Sequence, residues 1–167
     1  NNTAANNTGT SGHGILLKRI DYSTVRGNTV VGNQRGIYSL NSAGNEIVDN
    51  LVLGNRIGFH LTAGTDGERV VGNSFVGNAR HVQAVTSDTH VWNGSGRGNY
   101  WSGGGAADLD DDGVSELRYR PAGLVEKLVR ENPAAAVFTN SPAFVDYHPL
   151  ERSPHDWRDH YERDSDD

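Results

Sequence analysis

Two sets of residues in this 167-residue chain have the types and spacing to do chemistry, a run of carboxylates and seven histidines. Asp108, Asp110 and Asp112 alternate, Gly113 follows, and Glu116 lies three residues on. Counted from Asp108, the carboxylates take positions one, three, five and nine of a calcium-binding loop. Gly113 takes the sixth, where such loops turn sharply, and Val114 offers its carbonyl from the seventh. Position twelve is Tyr119 and not the bidentate Glu. The run reads either as a truncated, weaker site for a hard cation such as calcium or as a solvated acidic turn. Alternating carboxylates repel one another when no cation is shared between them.

The histidines show no His-x-x-x-His or similar spacing, so no pre-formed metal site is indicated. Surface roles are the default, with His60 and His81 the two placed to touch a copper ion in transit. Cysteine and methionine are both absent. There is accordingly no disulfide framework and no thiolate site, and the soft sulfur ligands that favour Cu(I) are missing. The missing methionine extends to position 1, so the chain reads as a processed form or a part of something longer.

What must position these groups is a repeat. Gly27-Asn28 to Gly32-Asn33, Asp49-Asn50 to Gly54-Asn55 and Gly72-Asn73 to Gly77-Asn78 each hold two asparagines five residues apart, and the copies recur after 22 and 23 residues. A fixed period in this range means stacked supersecondary units. Laid on one another, the copies align Ile15, Ile37, Phe59 and Val82, then Leu17, Ser39, Leu61 and Ala84. Val25, Ile47 and Val70 form a third column, and Val30, Val52 and Phe75 a fourth. Within each segment the apolar residues alternate, as a strand with one buried face requires. Each coil then holds about three short strands, and parallel stacking sets equivalent residues roughly 4.8 Å apart. Asn33, Asn55 and Asn78 fit the corners, since Asn tolerates the left-handed backbone region and can bond its counterpart one coil away. A leucine-rich solenoid would need fixed leucines and a helix per repeat, and neither is present. The expected fold is all-β, a right-handed parallel β-helix of 22–23 residues per coil.

The outward positions of the strand after each corner are Leu16 and Lys18, Tyr38 and Leu40, His60 and Thr62, Gln83 and Val85. None is a carboxylate, whereas glycoside hydrolysis needs a pair and β-elimination needs a base beside a charge-stabilising group. No catalytic residue is assigned, and the chain reads as a non-enzyme.

The repeat degrades at Val91 to Asn99, where Gly96 falls at the place of Val52 and Phe75. The expectation is a hole that Trp92, Tyr100 and Trp101 plug as a cap, since an open solenoid end needs covering. Coils would then fill residues 1–102. Residues 103–150 would form a C-terminal cap with the acidic loop and a short helix over Leu124–Asn132, closed by Pro133. Residues 151–167 would be an acidic, mobile tail. Net charge is −6 and unevenly spread: residues 1–100 carry 8 Lys/Arg against 6 Asp/Glu, and residues 101–167 carry 7 against 15. That distribution argues against a nucleic-acid partner, and no apolar run is long enough to span a membrane.

Gly98-Asn99-Tyr100-Trp101-Ser102, the Asp-rich loop, Tyr119-Arg120-Pro121 and the run Phe138 to Pro142 together resemble the NosD family across nearly the whole chain, as the C-terminal part of a longer member. The resemblance implies a periplasmic or otherwise extracytoplasmic accessory protein. Such a protein would work with ABC transporter subunits, and with a copper chaperone and nitrous oxide reductase, in maturing that enzyme's copper centres, binding copper only in passage. The alternative from the residues is a β-helix that binds or modifies carbohydrate, for which aromatics lining one sheet are the signature. Only Tyr38 fits it.

Overall fold

In a computed structural model the chain forms a parallel β-solenoid, described over residues 1–62, 64–84, 90–121 and 145–161. Three parallel sheets run along it. The first joins β1 (Thr3–Ala5), β4 (Thr29–Val31), β7 (Leu51–Leu53), β10 (Ser74–Val76) and β12 (Tyr100–Trp101). The second joins β2 (His13–Lys18), β5 (Arg35–Leu40), β8 (Ile57–Leu61) and β11 (Val82–Ala84), and the third β3 (Thr24–Arg26), β6 (Glu46–Val48) and β9 (Arg69–Val71). The only helix among the described residues is α1 (Arg158–Tyr161). The helix expected over Leu124–Asn132 and the run Phe138 to Pro142 lie outside the described residues.

The sheet registers are those of the sequence columns. Val30, Val52 and Phe75 pair in order, as do Ile37, Phe59 and Val82, and Val25, Ile47 and Val70. These residues fill the interior and are almost wholly buried. Each corner turns through a residue in the left-handed region, Gly32, Gly54 and Gly77 at one and Gly27, Asp49 and Gly72 at another. Asp49 shows that Gly is favoured there without being obligatory. At Gly36 and Gly58 the demand is close approach. A Cβ would meet the next coil's backbone oxygen at 2.6 Å.

Hydrogen bonds between asparagines bind the corners from coil to coil. Asn7, Asn33, Asn55 and Asn78 form one ladder, in which each backbone N–H and each Nδ2 donates to the next Oδ1 at 2.7–3.0 Å. Asn2, Asn28, Asn50, Asn73 and Asn99 form a second. Nδ2 also donates to backbone carbonyls, as Asn73 does to Ile47 and Val71. One side chain thereby satisfies groups of three coils that would otherwise be buried without partners.

The end of the solenoid differs from the expectation in register. Gly98-Asn99 stacks on Gly72-Asn73, so that Trp101 pairs with Phe75 and takes over its column. Gly96 leaves no hole, because residues 94–97 form a tight turn outside the column, with Gly94 and Arg97 exchanging backbone hydrogen bonds. Trp101 stacks on Phe75 at 4.5 Å between ring centres, Tyr119 stacks on Trp101 at 4.9 Å, and Trp92 leans in at 6.0 Å. Tyr100 faces the other way, against Leu51, Leu53 and Val76. Part of the segment expected as a mobile tail lies on that same surface. Trp157 packs there, and His155 bridges Ser74 Oγ (2.8 Å) and the Asp49 carbonyl (3.0 Å).

Asn73→Ala should lower the unfolding free energy by more than about 3 kcal/mol, since five side-chain hydrogen bonds go and buried partners are stranded. Asn2→Ala, on an exposed first rung, should cost less than about 1 kcal/mol. Urea melts of the two variants check this, and equal losses would deny the ladder its role.

Candidate functional site

The chemistry-bearing residues divide into those spent on closing the ladders and those left on the outer face. The first ladder ends at His81. Its Nδ1 lies 3.3 Å from Asn78 Nδ2, and its Nε2 lies 2.9 Å from the Ser102 carbonyl. With Nε2 donating and Nδ1 accepting, both nitrogens of a neutral ring are used. Burial lowers the pKa of His81 and keeps it neutral, the Ser102 hydrogen bond only partly opposing this.

The second ladder ends at Asp146, wholly buried, on the segment that returns to cover the open end. Its Oδ2 accepts from the Asn99 N–H (2.7 Å), Asn99 Nδ2 (3.3 Å) and Trp101 Nε1 (3.0 Å), and its Oδ1 accepts from the His148 N–H. Burial raises its pKa against those donors. A Cβ on Gly98 would overlap this carboxylate, which explains the glycine of Gly98-Asn99.

A third, shorter ladder at the remaining corner ends at Glu68. This buried carboxylate accepts from Ser39 Oγ (2.8 Å), the Asn45 N–H (2.7 Å) and Asn45 Nδ2 (3.2 Å), and burial raises its pKa. Sequence reasoning passed over both carboxylates. Glu68 had a signal, since Gly67-Glu68 repeats Gly44-Asn45 one coil on. Asp146 had none.

On the outer face of the second sheet the register places Leu16, Tyr38, His60 and Gln83 in one row. Tyr38 stacks on His60 at 4.9 Å and meets His13 at 4.8 Å. Arg35 ties this row together. Its Nε donates to His60 Nδ1 at 3.1 Å, and its guanidinium lies 5.4 Å over the Tyr38 ring. His60 Nδ1 therefore carries no proton. Burial, then Arg35, His13 and Arg80, lower the pKa of His60 to about 4.

In the acidic loop, Asp108, Asp110 and Glu116 have one oxygen each within 4.8 Å of one another, and Asp112 is outside the group. Their oxygens accept from the loop's own backbone: Asp108 from the N–H of Asp112 and Gly113, Asp110 from Asp112, and Glu116 from Leu109. Asp112 turns to the N–H of Val114. Among the described residues no other group of three His, Asp or Glu side chains is close enough to share a cation. His60 and His81 contact different neighbours, one on the outer row and the other against Phe75 and Trp101. The donor set does not fit resident Cu(I). The only cluster among the described residues offers hard oxygens, both histidines have nitrogens already engaged, and the chain has no sulfur ligand.

The unfolded state takes up a proton at His60 near pH 6.5 and the folded state only near pH 4, so stability falls as pH drops through that window. His13 and His81, lowered too, act in the same direction, whereas Glu68 and Asp146, raised, act against it. His60→Gln should therefore lose about 2 kcal/mol less than the wild type between pH 7 and pH 5 in urea melts, at roughly 1.4 kcal/mol per unit. Identical losses would show that His60 is not held neutral.

Comparison with known proteins identifies the family. The family model described as "Periplasmic copper-binding protein (NosD)" matches residues 1–105. A protein of Pseudomonas aeruginosa named "Probable ABC transporter binding protein NosD" is 37% identical over 145 residues, covering 78% of this chain and 34% of the relative. A protein of the same name from Stutzerimonas stutzeri is 37% identical over 146 residues with the same coverage. This sequence thus spans about a third of the length of those relatives. No helix among the described residues is long and apolar enough to cross a membrane. With its coils matched by the family model and its likeness to both relatives running through most of its length, the chain belongs to the NosD family.

Proposed function

We propose that this chain is part of a non-enzymatic, extracytoplasmic accessory protein that works with an ABC transporter in supplying copper to nitrous oxide reductase. Its solenoid (residues 1–102) serves as a rigid docking surface, and the described residues of the 103–150 region cover the end. The observation that carries the reading is where the chemistry has gone. The buried carboxylates Glu68 and Asp146 close ladders, and none of the outward residues of the second sheet is a carboxylate. A sheet so built presents a surface and no acid–base pair. The family description and the relatives' names support copper handling and a transporter partner. Copper would pass over this part of the protein and not reside in it, with His60 and His81 the imidazoles it would meet.

Two measurements test this. Deleting the gene for the full-length protein in a nitrous-oxide-respiring host should leave the reductase short of copper and inactive, and reintroduction should restore both. A copper-replete reductase in the deletion strain would sink the reading. Competition of this chain against a chromophoric Cu(I) chelator should show no stoichiometric site. Tight one-to-one binding lost in the His60→Gln, His81→Gln variant would make this segment a copper site in its own right.

A further inference from the structure

Beside the first ladder the solenoid carries three arginines with no acid opposite them. The register puts Arg35, Ile57 and Arg80 in one column and Gln34, Arg56 and Ala79 in the next. Arg35 and Arg80 are thus two coils apart, roughly 10 Å at 4.8 Å per coil, with Arg56 between them in the neighbouring column. Arg56 and Arg80 are exposed and Arg35 is half-buried. They border an open groove of about 340 Å³ with Gln34 and Gln83 on its walls. Arg26, Arg69 and Arg152 have carboxylate partners at 3.1–3.5 Å, but among the described residues Arg35, Arg56 and Arg80 form no ion pair.

Two of the groove's three arginines, Arg35 and Arg80, are held in place. Arg35 is fixed through His60 Nδ1, the Thr10 carbonyl and the Tyr38 ring, which leaves guanidinium hydrogens free. Arg80 spends one hydrogen on Gln83 Oε1 at 2.8 Å. That bond turns the Gln83 amide nitrogen toward His60 Nε2, 3.4 Å away. Because Nδ1 of the neutral His60 ring accepts from Arg35, its proton sits on Nε2, and the approach sets one donor against another. Three cations line one hollow with the Gln83 amide nitrogen beside them, and what satisfies them is an anion. The guanidinium fork matches a carboxylate in two-pronged fashion.

We propose that this groove binds an acidic segment of a partner protein, whose alternate carboxylates are received by Arg35, Arg56 and Arg80. An extended segment places same-side residues roughly 6.7 Å apart, so two or three acids span the arginines. A nucleic acid fits less well, since residues 101–167 carry 15 Asp/Glu against 7 Lys/Arg. This deepens the docking reading and fails separately from it. A deletion strain with a copper-replete reductase removes that reading and leaves the groove, and a peptide indifferent to the arginines removes only the groove.

The test is fluorescence anisotropy with a labelled seven-residue peptide bearing Glu at alternate positions, its Gln counterpart, and an oligothymidylate of equal charge. The Glu peptide should bind at least tenfold tighter than both others, weaken with added salt, and lose at least tenfold in affinity to the Arg35→Gln, Arg56→Gln, Arg80→Gln variant. Arg56→Gln alone, whose side chain braces nothing among the described residues, should lose several-fold with an unchanged melting temperature. Arg118→Gln, outside the groove, should bind like the wild type. Equal binding of the Glu and Gln peptides, oligothymidylate bound as tightly as the Glu peptide, or arginine variants bound like the wild type would each overturn the proposal.

Discussion

Every coil of this solenoid must match its neighbour's corner, and the asparagine ladders enforce that match. A parallel sheet leaves its strands' backbone groups satisfied, but the corners between sheets bury peptide groups that no strand reaches. The amide of Asn is short enough to turn back on the corner, and it has a donor and an acceptor on opposite sides. Asn50, for instance, accepts from Asn28, donates to Asn73 and also bonds the Val25 and Val48 carbonyls. The interior columns stack because the corners fix the rise, and Val30, Val52, Phe75 and Trp101 then fall into one file.

A ladder of donors and acceptors has ends, and the ends set the fate of the titratable residues. Each ladder closes on an acceptor that terminates it without exposing an unmet amide: His81 at the first, Asp146 at the second and Glu68 at the third. All three are kept neutral-leaning by burial, in the direction that suits a group sealed in an apolar wall. Residues that a survey by type would nominate for catalysis or metal binding are in this way consumed by the frame. The same economy explains the two aromatics at the open end. Trp101 continues the column that Phe75 leaves, and Tyr119 covers it.

What the frame does not consume is the outer face of the second sheet and the arginine corner beside it. There the side chains are ordered by one another. Arg35 holds His60 and Tyr38, and Arg80 holds Gln83. The positive field of that corner falls on His60 and disfavours a bound cation next to it. Docking of an acidic surface and residence of copper are therefore competing demands at this position, and the side chains present favour the first.

The period, the four columns and the corner asparagines were legible because short-range pattern is what builds a coil. A strand's alternation and a turn's need for Gly or Asn act within a few residues, and repetition then aligns equivalent residues. Glu68, at the place of Asn45 one coil on, carried the same signal and was passed over. The pattern failed where the coil length changed. Gly98-Asn99 follows Gly72-Asn73 by 26 residues, and the extra length is taken up by the turn at residues 94–97, outside the column. Asp146 reaches Asn99 across 47 residues. Which donor meets which acceptor there depends on where the chain returns after leaving the repeat, and no local spacing records that. How each coil is made is written in local spacing. How the stack is closed emerges only on folding, because closing it requires partners brought together from parts of the chain that share no period.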